Sequence, residues 1–428
     1  MNILVAILVV GIIIIIHELG HFLLAKKNGI TVTEFSVGLG PRIASFVKGG
    51  TRYSLKIFPF GGSCMMLGED ETVEDEGAFH KKGVWARFSV IFAGAFFNFV
   101  LAFILALIVV GAEGIDLPQV VKVRGNSPAE GKLMEGDMIK KINGKSIHLL
   151  REMDMEFYFN PIQEGVPIEV TYERDGKIGT TSIVPAKLET YLLGCNYEPG
   201  LGKATLVAVT EDFPLAESGL MIGDTIVEIN GVTVKSGDDL SNYLNQFPLT
   251  GEPVSLKYER DGEIKEVTVT PKLYASGIGI GWGFSYQDLS PLEVIKYSYH
   301  EVKFNITSTI KSIGFLIRGK LGLDDLAGPV GIVNYVGQVV DGSKEYGLKV
   351  IVLNLMQFSI MISANLGVIN LLPIPAMDGG RLVFLLIEAI RRKPVPKEKE
   401  AMVHLVGMAA LMVLMVFVLF NDIRNIFG

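Results

Sequence analysis

The sequence predicts a multi-span α-helical membrane protein with four transmembrane helices, a membrane-associated β-hairpin region and two β-rich domains outside the membrane. Apolar residues make up 49% of the 428 positions and charged residues only 20%, which is too apolar for an ordinary soluble protein. Apolar stretches long enough to cross a bilayer occur at 1–25, 88–112, 350–390 and 401–420. A more polar segment with an internal repeat lies between the second and third stretches.

The first apolar stretch contains three ionisable side chains, His17, Glu18 and His21, in the pattern H-E-L-G-H. Such groups are costly inside a membrane and therefore indicate a functional site. Residues four apart on a helix share one face, so both imidazoles can bind the same metal ion. Glu18 lies beside them, where it can accept a proton from a water molecule at that metal. The stretch therefore predicts a catalytic metal site.

Residues 26–87 combine glycines with alternating apolar residues, which is typical of short β-strands. An open sheet edge cannot face lipid, so we expect these strands to line a protein-walled cavity beside the metal site. A strand edge can hold a substrate in extended form, and Phe58, Pro59 and Gly61 are candidate substrate-binding residues. The alternative is a hairpin that only plugs the helix bundle.

The second apolar stretch contains the amide Asn98 and two small residues, Gly94 and Ala95. The small residues permit close contact between helices, and an amide within the membrane needs a hydrogen-bond partner. Two roles for Asn98 remain open. It either orients the site or its substrate, or it joins two helices.

The polar segment contains two copies of one module of about 80 residues. The pattern G-D-x-I-x-x-I-N-G occurs at 136–144 and 223–231, and Y-E-R-D-G occurs at 172–176 and 258–262. The first pattern resembles PDZ domains, which bind peptides by adding a strand to a sheet. We predict the modules at 117–190 and 200–273. They either bind peptide ligands or act as spacers and size filters.

The chain after the modules predicts two further elements. A helical period with charged residues on one side indicates an amphipathic connector at 290–349, on the membrane surface. The third apolar stretch is interrupted by N-L-L-P-I-P-A-M-D-G-G, where two prolines break the helix. Asp378 in this break needs a partner, and the metal is the obvious one. Asn370 either binds the substrate or its oxyanion, or caps the helix break.

Basic residues indicate the orientation of the chain in the membrane. They follow the first stretch, precede the second and follow the third: Lys26, Lys27, Lys81, Lys82, Arg87, Arg391, Arg392 and Lys393. The positive-inside rule then predicts 26–87 and 391–400 in the cytoplasm and the modules outside the cell. His17, His21 and Asp378 would lie at the same depth, near the cytoplasmic side.

Other features limit the classes of function. The two cysteines, Cys64 and Cys195, would lie on opposite sides of the membrane, so a disulfide framework is excluded. A net charge of −7 gives no sign of a nucleic-acid partner. The N-terminal stretch lacks the basic residues and the cleavage site of a signal peptide. A metal transporter and a catalytically inactive membrane-anchored scaffold are the alternatives to an enzyme, but neither needs a glutamate base.

The H-E-L-G-H span, the paired PDZ-like modules and N-x-x-P-x-P-x-x-D-G together resemble the site-2 protease family of intramembrane zinc metalloproteases. More narrowly, the chain is similar to the bacterial regulator-of-sigma-factor proteases. Met377 stands where the family usually has leucine, and Gly94-Ala95 stands where it has Gly-Pro. Both departures are apolar and concern packing more than chemistry.

This resemblance implies a bacterial plasma-membrane protease that uses Zn²⁺. It implies that His17, His21 and Asp378 bind the ion and that Glu18 is the catalytic base. Its expected partners are single-span membrane proteins, such as anti-sigma factors and signal-peptide remnants, together with membrane lipid.

Overall fold

The structure is a computed structural model that describes residues 2–427 apart from 70, 124, 126, 198–201, 211, 261, 280–281, 288, 321, 323–327 and 345–346. The chain divides into two units. The first, here called the helical unit, comprises Met1–Leu117 and Tyr286–Gly428, and the second, the repeat unit, is Pro118–Ser285. The predicted start of the second module, residue 200, lies outside the described residues.

Each unit contains both helices and strands. The helices are α1 (Asn2–Lys27), α2 (Val84–Glu113), α3 (Leu150–Phe159), α4 (Pro214–Glu217), α5 (Gly237–Gln246), α6 (Pro291–Ile317), α7 (Pro329–Gly342), α8 (Leu348–Leu371), α9 (Asp378–Arg391) and α10 (Lys397–Phe427). The strands are β1 (Val32–Lys48), β2 (Thr51–Met66), β3 (Ile115–Val123), β4 (Met138–Ile142), β5 (Lys145–Ser146), β6 (Ile168–Arg174), β7 (Lys177–Ile183), β8 (Ala186–Leu192), β9 (Cys195–Tyr197), β10 (Ala204–Val209), β11 (Thr225–Ile229), β12 (Val232–Thr233), β13 (Val254–Arg260), β14 (Glu263–Val269), β15 (Lys272–Gly279) and β16 (Trp282–Gln287).

Four helices among the described residues are long and apolar enough to cross a membrane. These candidate spans are Ile3–Lys27, Val84–Glu113, Leu348–Leu371 and Lys397–Arg424. They agree in number with the four predicted spans. The third predicted stretch, 350–390, forms two helices, because α8 ends at Leu371 and α9 begins only at Asp378. With 14 residues, α9 is too short to cross a bilayer alone.

The helical unit is arranged around α2, which contacts α1, α6, α8 and α9. Small residues on α2 allow this close packing, since Ala102 and Ala106 are fully buried against Leu353 and Ile360 of α8. This central helix therefore contacts both helices that carry the predicted metal ligands.

The hairpin region consists of two long bent strands rather than the predicted short ones. Gly49 and Gly50 connect β1 to β2, and their φ angles of 58° and 74° fit the type I′ turn that joins hairpin strands. The first half of β1 pairs on one side with the start of β2 and on the other with residues 62–66 of β2. The end of β2 is thereby brought to the edge of the sheet.

Helix α6 occupies the first part of the connector predicted at 290–349. It packs against α2 and α8, and Val302 belongs to their common core. Its polar side faces inward, where Glu301 is 1% exposed and accepts a 2.9 Å hydrogen bond from Gln357 Nε2 of α8. Leu292, by contrast, is 79% exposed. The polar side is buried because α8 supplies polar partners, and a place at the membrane surface stays a prediction.

Among the described residues of the repeat unit, two of the three sheets have matching strand order, and the third pairs β8 with β15. One sheet runs β16-β3-β4-β6-β7 and the other β14-β13-β11-β10-β9, with β5 and β12 paired to β4 and β11. The repeated sequence pattern forms the same structure in both, because Asn143 and Asn230 each begin a turn with positive φ, 48° and 46°. Equivalent isoleucines, Ile142 and Ile229, are fully buried in the two cores.

Candidate metal centre

Two glycines bring α1 and α2 into direct contact at the level of the predicted metal ligands. A Cβ atom on Gly20 would lie 2.4 Å from the Ala93 carbonyl oxygen, which is too close for any other residue. A Cβ atom on Gly94 would lie 2.4 Å from His21 Nε2 and 2.7 Å from His17 Cε1. The close approach predicted from the small residues of α2 is therefore a contact with the histidine rings themselves.

Each histidine has a partner on α2 at its Nδ1 atom. His21 Nδ1 donates a 2.9 Å hydrogen bond to the Val90 carbonyl oxygen, which leaves a lone pair on Nε2. His17 Nδ1 lies 3.2 Å from Asn98 Nδ2. The two ends of an amide are assigned from their hydrogen bonds, and a His17 that binds a metal through Nε2 carries its proton on Nδ1. In that state the amide is turned by 180°, so that Asn98 Oδ1 accepts the Nδ1–H. Both Nε2 atoms then point to the same place, 3.2 Å apart.

Asp378 is the first residue of α9 and is delivered to the histidines by the break after α8. The prolines of the break prevent α8 from continuing beyond Leu371. Gly379 allows the new helix to begin directly against the break, because a Cβ atom there would lie 2.0 Å from the Leu372 carbonyl oxygen. The glycine after the aspartate in the motif is therefore a packing requirement.

The ligand atoms of His17, His21 and Asp378 converge on one point. Asp378 Oδ2 lies 3.2 Å from His17 Nε2 and 3.3 Å from His21 Nε2, and all three atoms lie within 4.8 Å of one another. Asp378 Oδ2 is buried without a hydrogen-bond partner among the described residues. Three lone pairs at this distance repel unless a proton or a cation lies between them. Two imidazoles and one carboxylate fit zinc, which keeps a fourth position open in catalytic sites.

A cavity of about 220 Å³ opens beside these three residues. Glu18 lines it, as do Gly62, Cys64 and Glu69. The strand β2 passes close to the glutamate, since a Cβ atom on Gly62 would lie 3.1 Å from Glu18 Cγ. The cavity therefore brings together a carboxylate, a β-strand and the three candidate ligands.

The strand segment at the cavity, residues 62–66, is one edge of the hairpin sheet. Gly62 pairs with Val37, and Cys64 pairs with Phe35. Within the part of the chain that the structure describes, no strand pairs with the other side of this segment. Its outward backbone N–H and C=O groups are thus available to a further strand.

Cys64 is a weak nucleophile in this setting. Burial, followed by the negative charges of Glu18 and Glu69, raises the pKa of its thiol. A protonated thiol is a poor nucleophile near neutral pH. The reactive groups of the cavity are therefore Glu18 and the three candidate ligands.

Asn98 lies behind His17. Its side chain is fully buried, and its backbone carbonyl oxygen accepts a 2.8 Å hydrogen bond from Ser363 Oγ of α8. The side chain of Asn98 thus contacts a histidine of α1 while its backbone is bonded to α8. Its predicted contact with substrate stays a prediction.

The other predicted substrate-binding residues are not among the described residues that line the cavity. Asn370 is half-buried in the last turn of α8. Phe58, Pro59 and Gly61 belong to β2 and directly precede the edge segment 62–66. Phe58 is 55% exposed.

Two ion pairs that the sequence did not reveal hold α9 in place. Arg381, one turn after Asp378, pairs with Glu69 of the cavity wall. Arg87 of α2 pairs with Glu388, and both side chains are largely buried. The partners lie 312 and 301 residues apart in the chain. No local pattern could have connected them.

The site contains two imidazoles, a carboxylate and a neighbouring glutamate, and it lies beside an open strand edge. Such a site is typical of a membrane-embedded metalloprotease. The family model of peptidase family M50 matches residues 5–414. The chain belongs to this family, the site-2 proteases, and is a zinc metalloprotease of the membrane. The comparisons thus support the enzyme over the scaffold and transporter alternatives.

Several relatives are similar over almost their whole length. Zinc metalloprotease RasP of Geobacillus kaustophilus is 33% identical over 98% of this chain and 97% of its own. Regulator of sigma-W protease RasP of Bacillus subtilis is 31% identical over 98% of both chains. The solved PDZ domain of an SdrC-like protein from Listeria innocua is 28% identical over 17% of this chain and 79% of its own, with a TM-score of 0.16. So low a score carries no argument about the fold.

Proposed function

We propose that His17, His21 and Asp378 hold the catalytic zinc ion and that Glu18 is the general base. The observation that carries this proposal is the convergence of three ligand atoms from α1 and α9 within 4.8 Å. Zinc bound there would act as a Lewis acid on the scissile carbonyl group and on the attacking water.

The proton transfers are the work of Glu18. Its carboxylate lines the cavity beside the ligand atoms, so it accepts the proton of the attacking water and returns it to the leaving amine. The partners on α2 hold the two imidazoles with Nε2 towards the cavity. The histidines thus need no reorganisation during the reaction.

The substrate binds in extended form along residues 62–66. A peptide that adds to this edge exchanges main-chain hydrogen bonds with β2 and presents its scissile bond to Glu18. Phe58, Pro59 and Gly61 precede the edge and would contact the flanking residues of the substrate. Asn370, at the end of α8, is a further candidate contact for the substrate.

The substrates proposed are single-span membrane proteins already shortened outside the membrane, with anti-sigma factors and signal-peptide remnants as the two classes. The name of the Bacillus subtilis relative, regulator of sigma-W protease, supports the first class. The PDZ-like modules of the repeat unit would bind the shortened ectodomain or exclude an intact one. The bacterial relatives support a bacterial plasma membrane. The positive-inside rule supports an orientation with the modules outside and the active site towards the cytoplasm.

The decisive test is Glu18→Gln, assayed on a shortened single-span substrate and on the same substrate with its ectodomain intact. Loss of the general base should lower the cleavage rate by about 10²–10⁴-fold while bound zinc, measured by mass spectrometry of the metal, is unchanged. Glu76→Gln, at an exposed acid outside the cavity, is the matched control. Unchanged cleavage by Glu18→Gln would refute the base. Unchanged zinc content in Asp378→Ala would refute the third ligand.

The inactive Glu18→Gln variant also tests the strand edge. A substrate with a photoreactive side chain beside its scissile bond should crosslink on irradiation to the segment 62–66, which contributes Gly62, Ser63, Cys64 and Met66 to the cavity. Mass spectrometry of the digested adduct identifies the joined segment, and peptides of the repeat unit are the internal control. Crosslinks found only outside residues 62–66 would contradict binding at this edge.

A further inference from the structure

The turn that delivers Asp378 contains a residue in an unfavourable backbone conformation. Ala376 has a φ of 74°, in the left-handed region that residues with a Cβ atom rarely adopt. The two prolines restrict the turn on its N-terminal side but do not set this angle. Ala376 precedes Asp378 by only two residues. A contact that fixes the backbone of Ala376 therefore also fixes the position of the Asp378 carboxylate.

One face of α10 contacts two consecutive residues of this turn, Pro375 and Ala376. His404 Nδ1 accepts a 2.8 Å hydrogen bond from the Ala376 N–H. Gly407, one helical turn further, lies against Pro375, since a Cβ atom there would be 2.3 Å from Pro375 Cβ and 2.9 Å from its carbonyl oxygen. His404 thus stabilises the unusual angle, and Gly407 allows α10 to come close enough for it to do so.

We propose that His404 and Gly407 are positioning residues for the metal centre. They fix the Pro375–Ala376 turn from α10 and thereby hold Asp378 within reach of the two histidines. This inference rests on the proposed role of Asp378 as a metal ligand. Neither residue lines the cavity, so both act through the turn and not on the substrate.

A purely structural role for His404 makes a different prediction. Its ring also packs against Phe384, with the centroids 5.6 Å apart, and that contact needs only an aromatic ring. The hydrogen bond from the Ala376 N–H instead needs an acceptor atom bonded to Cγ of residue 404, as Nδ1 of histidine is. His404→Phe keeps the ring without the acceptor, whereas His404→Asn keeps an acceptor, Oδ1, without the ring.

The experiment measures zinc affinity of the full-length protein in detergent, by competition with a chelator, and kcat separately from KM. His404→Phe should weaken zinc binding and lower kcat by about tenfold each, the lower end of the range for groups outside the ligand set that orient a metal ligand. His404→Asn should restore both to within about threefold of the unmodified protein. The proposal would be overturned if His404→Phe kept the zinc affinity and kcat of the unmodified protein while His404→Asn lost them.

A second substitution tests the backbone angle directly. Ala376→Gly removes the conflict between Cβ and the left-handed conformation, because glycine adopts this φ without penalty. The loss of zinc affinity caused by His404→Phe is then measured in two backgrounds, the unmodified chain and the Ala376→Gly variant. The loss should be smaller in the Ala376→Gly background. Equal losses in both backgrounds would show that the hydrogen bond does not act through this angle.

The failure of this proposal is distinct from failure of the proposed metal site. If Asp378→Ala leaves zinc affinity unchanged, the ligand assignment itself is wrong. If Asp378→Ala abolishes zinc binding while His404→Phe and Gly407→Ala bind zinc normally, the site stands and only the positioning role is refuted.

Discussion

Asp378 of the helical unit differs from two buried aspartates of the repeat unit in how its charge is neutralised. In the repeat unit, Asp137 accepts hydrogen bonds of 2.6 and 2.7 Å from the Arg174 guanidinium. Asp224, at the equivalent position of the second module, accepts two of 2.6 Å from Arg260. In the helical unit, Asp378 instead faces the Nε2 atoms of two imidazoles.

The difference separates buried charge that stabilises a fold from buried charge that serves chemistry. A guanidinium fills both oxygens of a carboxylate and leaves nothing for a ligand to bind. Two imidazoles whose Nδ1 atoms are already engaged leave lone pairs directed at one point. That arrangement is unfavourable by itself and becomes favourable with a cation. Three substitutions should sharpen this contrast, in order of decreasing effect on cleavage.

Gly94→Ala should have the largest effect. Its methyl group would meet His21 Nε2 at 2.4 Å, so the ring must move. A displacement of about 1 Å at a catalytic group lowers the rate by about a hundredfold. Gly111→Ala on the same helix is the matched control, because its methyl group would meet only Val294 Cγ1 at 3.6 Å. Equal rates for the two variants would contradict the tight contact at Gly94.

Asn98→Ala should have a moderate effect. It removes the partner of His17 Nδ1 and should weaken zinc binding by about tenfold, measured by chelator competition. Ser363→Ala removes a hydrogen bond to the Asn98 backbone but leaves its amide in place. It should therefore change zinc affinity little. A larger loss from Ser363→Ala than from Asn98→Ala would mean that Asn98 matters as a link between helices, not as a partner of His17.

Arg260→Met should have the smallest effect on cleavage and a large one on the repeat unit. It leaves Asp224, 2% exposed, without its cation and should destabilise the second module by about 3 kcal/mol. Limited proteolysis of the full chain measures this loss, and Arg174→Met in the first module should behave alike. Cleavage of a shortened substrate should stay within about twofold, because the substituted site shares no partner with the metal centre. If Arg260→Met lost its bound zinc, the ion pair of the repeat unit would not be independent of the metal centre, and the contrast would be wrong.

The same ion pair gives the repeat unit a defined pH dependence. Burial alone would raise the pKa of the Asp224 carboxyl, but hydrogen bonds from Arg260 and the Met221 N–H lower it below the ordinary 3.8. The pair therefore stabilises the module above about pH 3.8, and this contribution is lost as the pH falls further. Arg260→Met should remove this part of the acid sensitivity.

Much of the site followed from local patterns in the sequence. The spacing of His17 and His21 places them on one helix face whatever surrounds the helix, because the helical period is fixed by the backbone. The prolines near Asp378 had to interrupt the third stretch for an equally local reason. The repeated Asn-Gly pairs likewise formed the same turn in both modules.

Other features depended on contacts between distant segments. The pairing of Asn98 with His17 spans 81 residues, and it required the rotation of α2 about its axis to be known. The inward polar side of α6 depended on Gln357 in another helix. Likewise, the sequence predicts Phe58, Pro59 and Gly61 as substrate-binding residues, and only the pairing of β1 with β2 shows that the neighbouring residues 62–66 form the edge at the cavity.

The sequence by itself thus determined which residues can bind a metal ion, and which helices and modules carry them. Only the tertiary structure decided that α1 and α9 meet, which atoms hold the histidines, and that His404 of α10 supports the turn before Asp378. The physical reason is the distance along the chain over which each effect acts. Helical period, turn geometry and proline restriction act over a few residues, whereas helix rotation and close glycine contacts are set by packing between segments far apart in the chain.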